Sequence, residues 1–271
     1  MSGVLHNPHK RLAYNLTDVA VSVIMAIHNE AEYLEDSLSA LRQMRASSSE
    51  FIAVLDRCSD NSKEIVLRYF PTAKMIEKKS LSWKNSIAEN QQLGYQEAEG
   101  RVICIHDADI RSPPDFFNKL SAKLQGNVKS VSAEIQTYKK PSFTNLVFHY
   151  WEKTRKIAPL GKEPRGGVRL IDRNALEQVG GFKDVIAQDT QLDIDLRRLG
   201  YETKPCDDVI CLHLRRITLR KTVNTQIISG KMRRQMGMPL WHVVGHSLIR
   251  LRPLVIYGYF RGDNEKDVQR G

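Results

Sequence analysis

The sequence predicts an α/β fold: a mostly parallel sheet with helices on both faces, followed by a C-terminal helical extension. Three observations predict it. Short β-branched apolar runs alternate with stretches of helical spacing between residues 21 and 135. The polar, carboxylate-bearing segments fall at the ends of those runs, where ligands of open parallel sheets sit. A chain of 271 residues, 41% hydrophobic and 27% charged, is long enough to bury one substantial core.

The elements follow in order. "VSVIMAI" (21–27) is an apolar strand, and 30–45 has helical spacing through Leu34, Leu38 and Leu41. "FIAVL" (51–55) is a second strand, followed by a helix through Ile65, Val66 and Tyr69. "AKMIE" (73–77) reads as a short strand and 84–98 as a helix. "RVICI" (101–105) is a strand, 114–124 a helix after Pro113-Pro114, and "VKSVSAEI" (128–135) a strand. Beyond residue 140 the pattern changes. "NLVFHYWEKTRKI" (145–157) reads as a helix or lid-like segment, 166–182 as a strand, a short helix and a Gly-Gly turn, and 188–201 as a helix ended by Gly200. No Pro/Gly/Ser linker divides the chain.

Composition narrows the setting. The N-terminus, "MSGVLHNPHKRLAYNLTD", is polar and lacks the apolar core of an export signal. No run of 18 apolar residues occurs. Cys58, Cys104, Cys206 and Cys211 form no CxxC pair and read as reduced thiols of a cytoplasmic protein. The net charge of +10 is concentrated: residues 213–262 hold ten Lys or Arg and no Asp or Glu. That implies an anionic partner there. Aromatic residues are not interleaved with the basic ones as stacking platforms require, which argues against nucleic acid. In "LWHVVGHSLIRLRPLVIYGYF" (240–260), His242, His246 and Arg250 share one helix face, while Val244, Leu248 and Leu251, with Trp241, share another. Such a helix suits the surface of an anionic membrane; alternatively its apolar face packs on the domain.

The chemistry concentrates at strand ends. Asp107 and Asp109 lie one residue apart after the fourth strand. Like charges so close need a cation or solvent to relieve them. A hard cation takes one or two carboxylates plus phosphate oxygens, so the pair suits a metal-bound diphosphate; the alternative is a solvated turn before the next helix. Asp56 ends the second strand, where it can accept from a ring N–H of a base, with Ile27, His28 and Glu30 lining the same pocket. Lys84 opens the third helix, an unfavourable place for a cation unless a diphosphate is its partner. Asp189 sits in the first turn of a later helix, as a general base or as a carboxylate favoured by the helix dipole. Asp193 and Asp195 read as solvated or paired with Arg197 and Arg198. His213 follows an apolar run; a lone histidine there is structural unless a metal is bound nearby, and imidazole suits Mn²⁺ better than Mg²⁺. Gly166-Gly167 permits close backbone approach.

Five segments, in order, resemble a family 2 glycosyltransferase of GT-A type, with a Rossmann-like sheet, across roughly residues 20–215. They are "SVIMAIHNEAEYLEDSL", "LDRCSDNS", "SWKNSIAEN", "HDAD" and "VGGFKDVIAQDTQLDIDLRRLGY". Leu55 stands where the family often has the first Asp of its Asp-rich turn, and Gln188 replaces the usual Glu before Asp189. The family's downstream Q-x-x-R-W is degenerate in "GKMRRQMG". The resemblance implies an inverting transfer from a nucleoside diphosphate sugar to an acceptor hydroxyl or phosphate, with Mn²⁺ or Mg²⁺ as cofactor; the basic segment alone points to a lipid-linked phosphate or glycan acceptor. The resemblance makes Asp109 the direct metal ligand, Asp107 the neighbour nearer the ribose and first metal shell, His213 a further metal ligand and Asp189 the base, and it puts Gly166, Gly167 and Gln188 on the acceptor side. It divides the chain into a polar segment (1–18), a catalytic domain (19–215, with a nucleotide-sugar half to about 112 and an acceptor half from about 113) and a basic extension (216–271). Composition and the basic segment, not the resemblance, imply a cytoplasmic location, at the inner face of the plasma membrane if that segment meets lipid. A sugar-1-phosphate nucleotidyltransferase, the nearest rival, needs a Gly-rich loop where this chain has "HNEAEYL".

Overall fold

A computed structural model describes residues 20–43, 48–137, 166–215 and 219–261. The calls on 1–18 and 145–157 concern segments outside these residues. The first half holds β1 (Ala20–Ile27), α1 (Ala31–Leu41), β2 (Ser48–Asp56), α2 (Ser62–Tyr69), β3 (Lys74–Lys78) and α3 (Ser86–Gln96). There follow β4 (Val102–His106), β5 (Ile110–Arg111), α4 (Phe116–Lys123), β6 (Val128–Thr137), β7 (Val168–Asp172) and α5 (Arg173–Gln178). The last elements are α6 (Gln188–Arg198), β8 (Glu202–His213), α7 (Leu219–Gln235), α8 (Leu240–Ile249) and α9 (Leu254–Phe260).

The eight strands form one sheet in the order β3-β2-β1-β4-β7-β6-β8-β5. Strand periodicity divides the core in two. Val21, Val23, Met25 and Ile27 of β1 face a cluster with Leu34, Leu38, Ile65, Val66, Phe116 and Phe117. Ile24 faces the other side, with Ile52, Ile103, Ile105, Ile171 and Leu192. Each such side chain, once fully buried, contributes about 1.5–3 kcal/mol. Helix α3 lies tight on the sheet at Gly94, where any Cβ would overlap Ile24.

The sheet is parallel among β3, β2, β1 and β4 and between β6 and β8. It is antiparallel where β7 pairs with β4 and β6, and where β5 pairs with β8. The reversed β7 puts its start, after Gly166-Gly167, beside the end of β4: His106 pairs with Val168. The β5–β8 pair sets Ile110 opposite His213. Topology thus gathers segments distant in sequence at the carboxyl edge of β1, β2 and β4.

Three expectations change. Helix α3 starts at Ser86, because the Asn85 side chain caps it by accepting from the Ile87 and Ala88 amides. Lys84 therefore precedes the helix and does not open it. Helix α1 ends at Leu41. The stretch 240–260 is two helices, α8 and α9; Leu251 takes a left-handed φ of 50° and Pro253, with no N–H to give, follows it. Helix α8 turns its His246 and Arg250 side inward, with Val243 and Ser247, and leaves Trp241 (75% exposed), Leu248 (67%) and then Leu251 (62%) in the open. The apolar face does not pack on the domain. Helices α7 and α9 cross closely at glycines: a Cβ at Gly230 would overlap the Val255 carbonyl, and one at Gly258 the Ile227 carbonyl.

Candidate active site

Two groups of charge stand at the carboxyl edge of the sheet. The first surrounds Asp56, the last residue of β2, which is 2% exposed. Arg57 donates to it through Nε at 2.8 Å and Nη2 at 3.3 Å, Asn90 through Nδ2 at 3.2 Å, and the Ser86 hydroxyl also donates. Lys78, opposite Asp56 in the β2–β3 register, adds its Nζ at 3.4 Å and pairs with Glu89 at 2.9 Å. Burial pushes the Asp56 carboxyl up, but hydrogen bonds from Arg57, Ser86 and Asn90 and the Lys78 charge outweigh it and hold it well below the usual carboxylate range. Oδ2 carries most of these contacts and Oδ1 accepts from Arg57 Nε. His28 Nδ1 lies 2.5 Å from the Asp56 carbonyl, and Ile27 is buried with its carbonyl accepting from the Cys58 thiol.

The second group lies past β4. The Asp107 amide donates to the Gly167 carbonyl at 2.8 Å, and a Cβ at Gly167 would stand 3.0 Å from Asp107 Oδ2. A Cβ at Gly166 would stand 3.2 Å from Asp189 Oδ2. The two glycines thus let the backbone lie against both carboxylates. Burial first, then the charges of Asp109, Asp189 and Glu30, push the Asp107 carboxyl up to about 7, with Arg215 countering only in part. Asp109 is 8% exposed. Its Oδ2 accepts from Arg215 Nε at 2.8 Å and lies 3.3 Å from His213 Nε2. Arg215 also bridges to Glu30 and sits 5.7 Å over the Tyr33 ring. Glu30 therefore faces the Asp109 group, whereas His28 and Ile27 stay with Asp56.

The model of Glycosyl transferase family 2 matches residues 22–180. The chain belongs to that family. It is 25% identical over 206 residues to a probable glycosyltransferase, YdaM, of Bacillus subtilis, covering 68% of this chain and 48% of that protein. The chain thus spans about half the length of the curated relatives it matches. The fold is of GT-A type. A mannosyltransferase from Pyrobaculum calidifontis, solved with GDP-Man and Mn²⁺, superposes with a TM-score of 0.61 at 22% identity, over 89% of this chain and 70% of that one. Glucosyl-3-phosphoglycerate synthase of Mycobacterium tuberculosis, solved with Mn²⁺, UDP and glucosyl-3-phosphoglycerate, gives 0.60 at 15% identity, over 82% and 81%.

Several residues of this edge are not evident from the motifs. Arg169 of β7, 1% exposed, grips Asp193 of α6 through two contacts of 2.6 and 2.7 Å. Its Nη1 reaches the Asp189 carbonyl at 3.2 Å, so it fixes the helix start that presents Asp189. Asp193 is thus buried and paired with Arg169, not solvated. Asp195 does pair with Arg198, at 3.4 Å, but more closely with Lys183, at 2.6 Å. Below Asp107, His106 Nδ1 donates to the Asp107 carbonyl at 2.9 Å, and Nε2, 2.8 Å from Ser112 Oγ, accepts. Burial holds His106 down to about 4, so it stays neutral. The loop before α6 is tied to α3: Asp184 accepts from the Lys84 and Asn85 amides, and Asn85 Nδ2 donates to Gln188 Oε1 at 2.8 Å. The Lys84 side chain is exposed. Between α6 and α7 a cleft of about 310 Å³ is lined by Val185, Ile186, Thr190, Ile194, Met232 and Met236.

Proposed function

We propose that the chain is an inverting glycosyltransferase that moves one sugar from a nucleoside diphosphate sugar to an acceptor, with Mn²⁺ or Mg²⁺ as cofactor. The observation that carries it is the convergence of Asp107, Asp109 and Asp189 around a Gly166-Gly167 backbone, with Asp107 lacking a full counter-charge. Among the described residues no three His, Cys, Asp or Glu side chains converge as a closed metal site. Two carboxylates with an imidazole at their edge fit a cation that draws its other ligands from a substrate diphosphate. Asp109, Asp107 and His213 would hold it. When bound, it supplies charge stabilisation of the leaving diphosphate. The complexes of the Pyrobaculum and mycobacterial enzymes, with Mn²⁺ and GDP-Man or UDP, support this reading.

The chain's own residues then divide the work. Asp56 accepts from the base through Oδ1, with Ile27, His28 and Glu30 lining the nucleotide pocket. Lys84 and Arg215 bind diphosphate oxygens. Asp189 takes the proton as the acceptor oxygen bonds to the anomeric carbon and the bond to the β-phosphate oxygen breaks. Gly166, Gly167 and Gln188 border the acceptor. Residues 19–215 form the catalytic domain and 216–271 an extension that meets an anionic membrane at the cytoplasmic face. The outward Trp241, Leu248, Leu251 and Phe260, in a segment with ten basic and no acidic residues, support that surface. No helix among the described residues is long and apolar enough to cross a membrane.

Incubating the protein with a panel of nucleotide sugars and Mn²⁺ or Mg²⁺ tests the transfer by release of nucleoside diphosphate. Release from no donor, or full release in chelator, overturns it. Co-sedimentation with anionic and neutral vesicles at two salt concentrations tests the surface; equal binding to both, or to neither, overturns it.

A further inference from the structure

Behind Asp107 and Asp109 lie three buried polar side chains to which the transfer gives no role. They are His106 at the end of β4, Ser112 just after β5 and Cys211 of β8. The β5–β8 register brings the last two together. Ile110 lies opposite His213 and Arg111 opposite Leu212, so Ser112 falls opposite Cys211. Hydrogen-bond direction then fixes their order. The Asp107 carbonyl only accepts, so His106 Nδ1, 2.9 Å away, carries the ring hydrogen. In the neutral ring Nε2 accepts, and the Ser112 hydroxyl donates to it at 2.8 Å. With its hydrogen spent there, Ser112 Oγ accepts from the Cys211 thiol at 3.3 Å. Burial pushes that thiol up to about 11, so it keeps its hydrogen. Phe116, edge-on at 5.9 Å, packs against the ring. Both ring nitrogens are paired, and every bond in the line points toward the Asp107 carbonyl.

That carbonyl begins the turn that carries both carboxylates. The turn's own closing bond, from the Ile110 amide to the Asp107 carbonyl, is long at 3.4 Å. Two other main-chain ties come from neighbouring strands: the Asp107 amide donates to the Gly167 carbonyl, and the Leu214 amide to the Asp109 carbonyl, each at 2.8 Å. His106 Nδ1 supplies the shorter bond to the carbonyl that the turn itself holds weakly. The Asp109 charge works against ionised Asp107, so a loosely held turn lets the two carboxylates swing apart.

We infer that His106 is a positioning residue for the divalent cation: through Nδ1 it holds the 107–110 turn in the shape that lets Asp107 and Asp109 share one ion, and Ser112, backed by Cys211, fixes its tautomer. Side chains that orient metal ligands from behind typically change metal affinity by about 10–100-fold when removed. This inference rests on the cation reading of Asp107 and Asp109.

Three variants separate the bond from the packing. His106→Asn carries an amide nitrogen at the same reach as Nδ1 and keeps the bond to Asp107. His106→Gln reaches toward Ser112 and loses the bond to Asp107. His106→Leu keeps only bulk. Binding of Mn²⁺ alone to the full-length protein, read from the paramagnetic resonance signal of the free ion, should stay close to wild type in His106→Asn. It should weaken by roughly tenfold or more in His106→Gln and His106→Leu. Ser112→Ala, a milder change that leaves the ring in place, should weaken it in the same direction by less. Without metal, hydrogen exchange at the Ile110 amide should quicken in the Gln and Leu variants and not in Asn, while denaturant melts report that each is folded. Mn²⁺ affinity equal to wild type in every variant, or lost equally in all three His106 variants, overturns the role of His106 and leaves the cation site standing. A wild type that binds no Mn²⁺ fails the cation reading itself, and this inference falls with it.

Discussion

The two carboxylate groups at the sheet edge are built on opposite principles. Asp56 is met by Arg57, Ser86, Asn90 and Lys78, and its carboxyl is held well below the usual range. Asp107 stands among Asp109, Asp189 and Glu30, and its carboxyl is pushed up to about 7. The first group has its negative charge offset by the chain's own cations and donors. The second carries negative charge that the chain's own cations only partly offset, so its electrostatics favour a partner that brings positive charge. One end of the site is preorganised to hold a fixed part of a ligand; the other is poised for a cation and a changing charge.

The largest expected effect comes from removing charge at the second group. Asp109→Asn should abolish transfer and weaken nucleotide-sugar affinity, measured by turnover and by calorimetry with Mn²⁺. Retained activity would separate the pair from the cation and break the contrast. Next comes Asp189→Asn. Loss of a general base lowers kcat by ~10²–10⁴ while donor affinity stays near wild type. A collapse of donor affinity instead would make Asp189 a helix-start residue, held by Arg169 for structural reasons alone.

Stability against pH sharpens the contrast because the two signs are opposite. Asp107 has a folded pKa of about 7 against an ordinary 3.8. Between those values the folded chain keeps a proton that the unfolded chain has lost, so stability falls as pH rises through the window. Asp107→Asn removes that penalty. In chelator it should be more stable than wild type above pH ~7, by on the order of 1–3 kcal/mol, with the difference vanishing below pH ~4. Asp56 runs the other way, since its folded pKa is depressed. Its contribution is present above its unfolded pKa and lost as pH falls, so Asp56→Asn should destabilise at neutral pH by about 1–3 kcal/mol and converge with wild type in acid. Denaturant melts of both variants from pH 2 to pH 8 check this; two curves of the same sign would end the comparison.

The two groups also differ in how far the sequence discloses them. Asp56, Asp107, Asp109 and Asp189 are visible because each sits where an apolar run stops or a helical pattern starts, and those boundaries are local. Their partners are not. Arg169 and Asp193 lie 24 positions apart on β7 and α6 and meet only through the antiparallel return of β7. Lys78 and Glu89 look like surface charges in the strand and helix patterns, yet they are buried together beneath Asp56. Arg215 reads as one of ten basic residues in a long segment; the β5–β8 register alone carries it to Asp109. In α8, periodicity separates an apolar from a basic face but does not say which face turns inward. There the His246 and Arg250 side does, and the apolar side stays exposed.

The smallest expected effect probes Arg215, a cation that the chain itself lends to the second group. Its guanidinium holds Asp109 at 2.8 Å and bridges to Glu30, so a metal ion arriving alone has to displace it. Arg215 is one-third exposed, which keeps the competition modest. Arg215→Gln should therefore raise the affinity for Mn²⁺ without nucleotide by only a few-fold, consistent with about 1 kcal/mol for a partly solvated ion pair. The same variant should bind nucleoside diphosphate with Mn²⁺ more weakly, because a displaced guanidinium is free to take a phosphate oxygen. Calorimetric titration of Mn²⁺ alone, then of diphosphate at saturating Mn²⁺, reads both signs in one protein. Opposite changes mean that Arg215 alternates between Asp109 and the leaving group. Equal losses in both titrations would make it a fixed strut of the site, and the second group would then be offset by the chain's own charge as the first is.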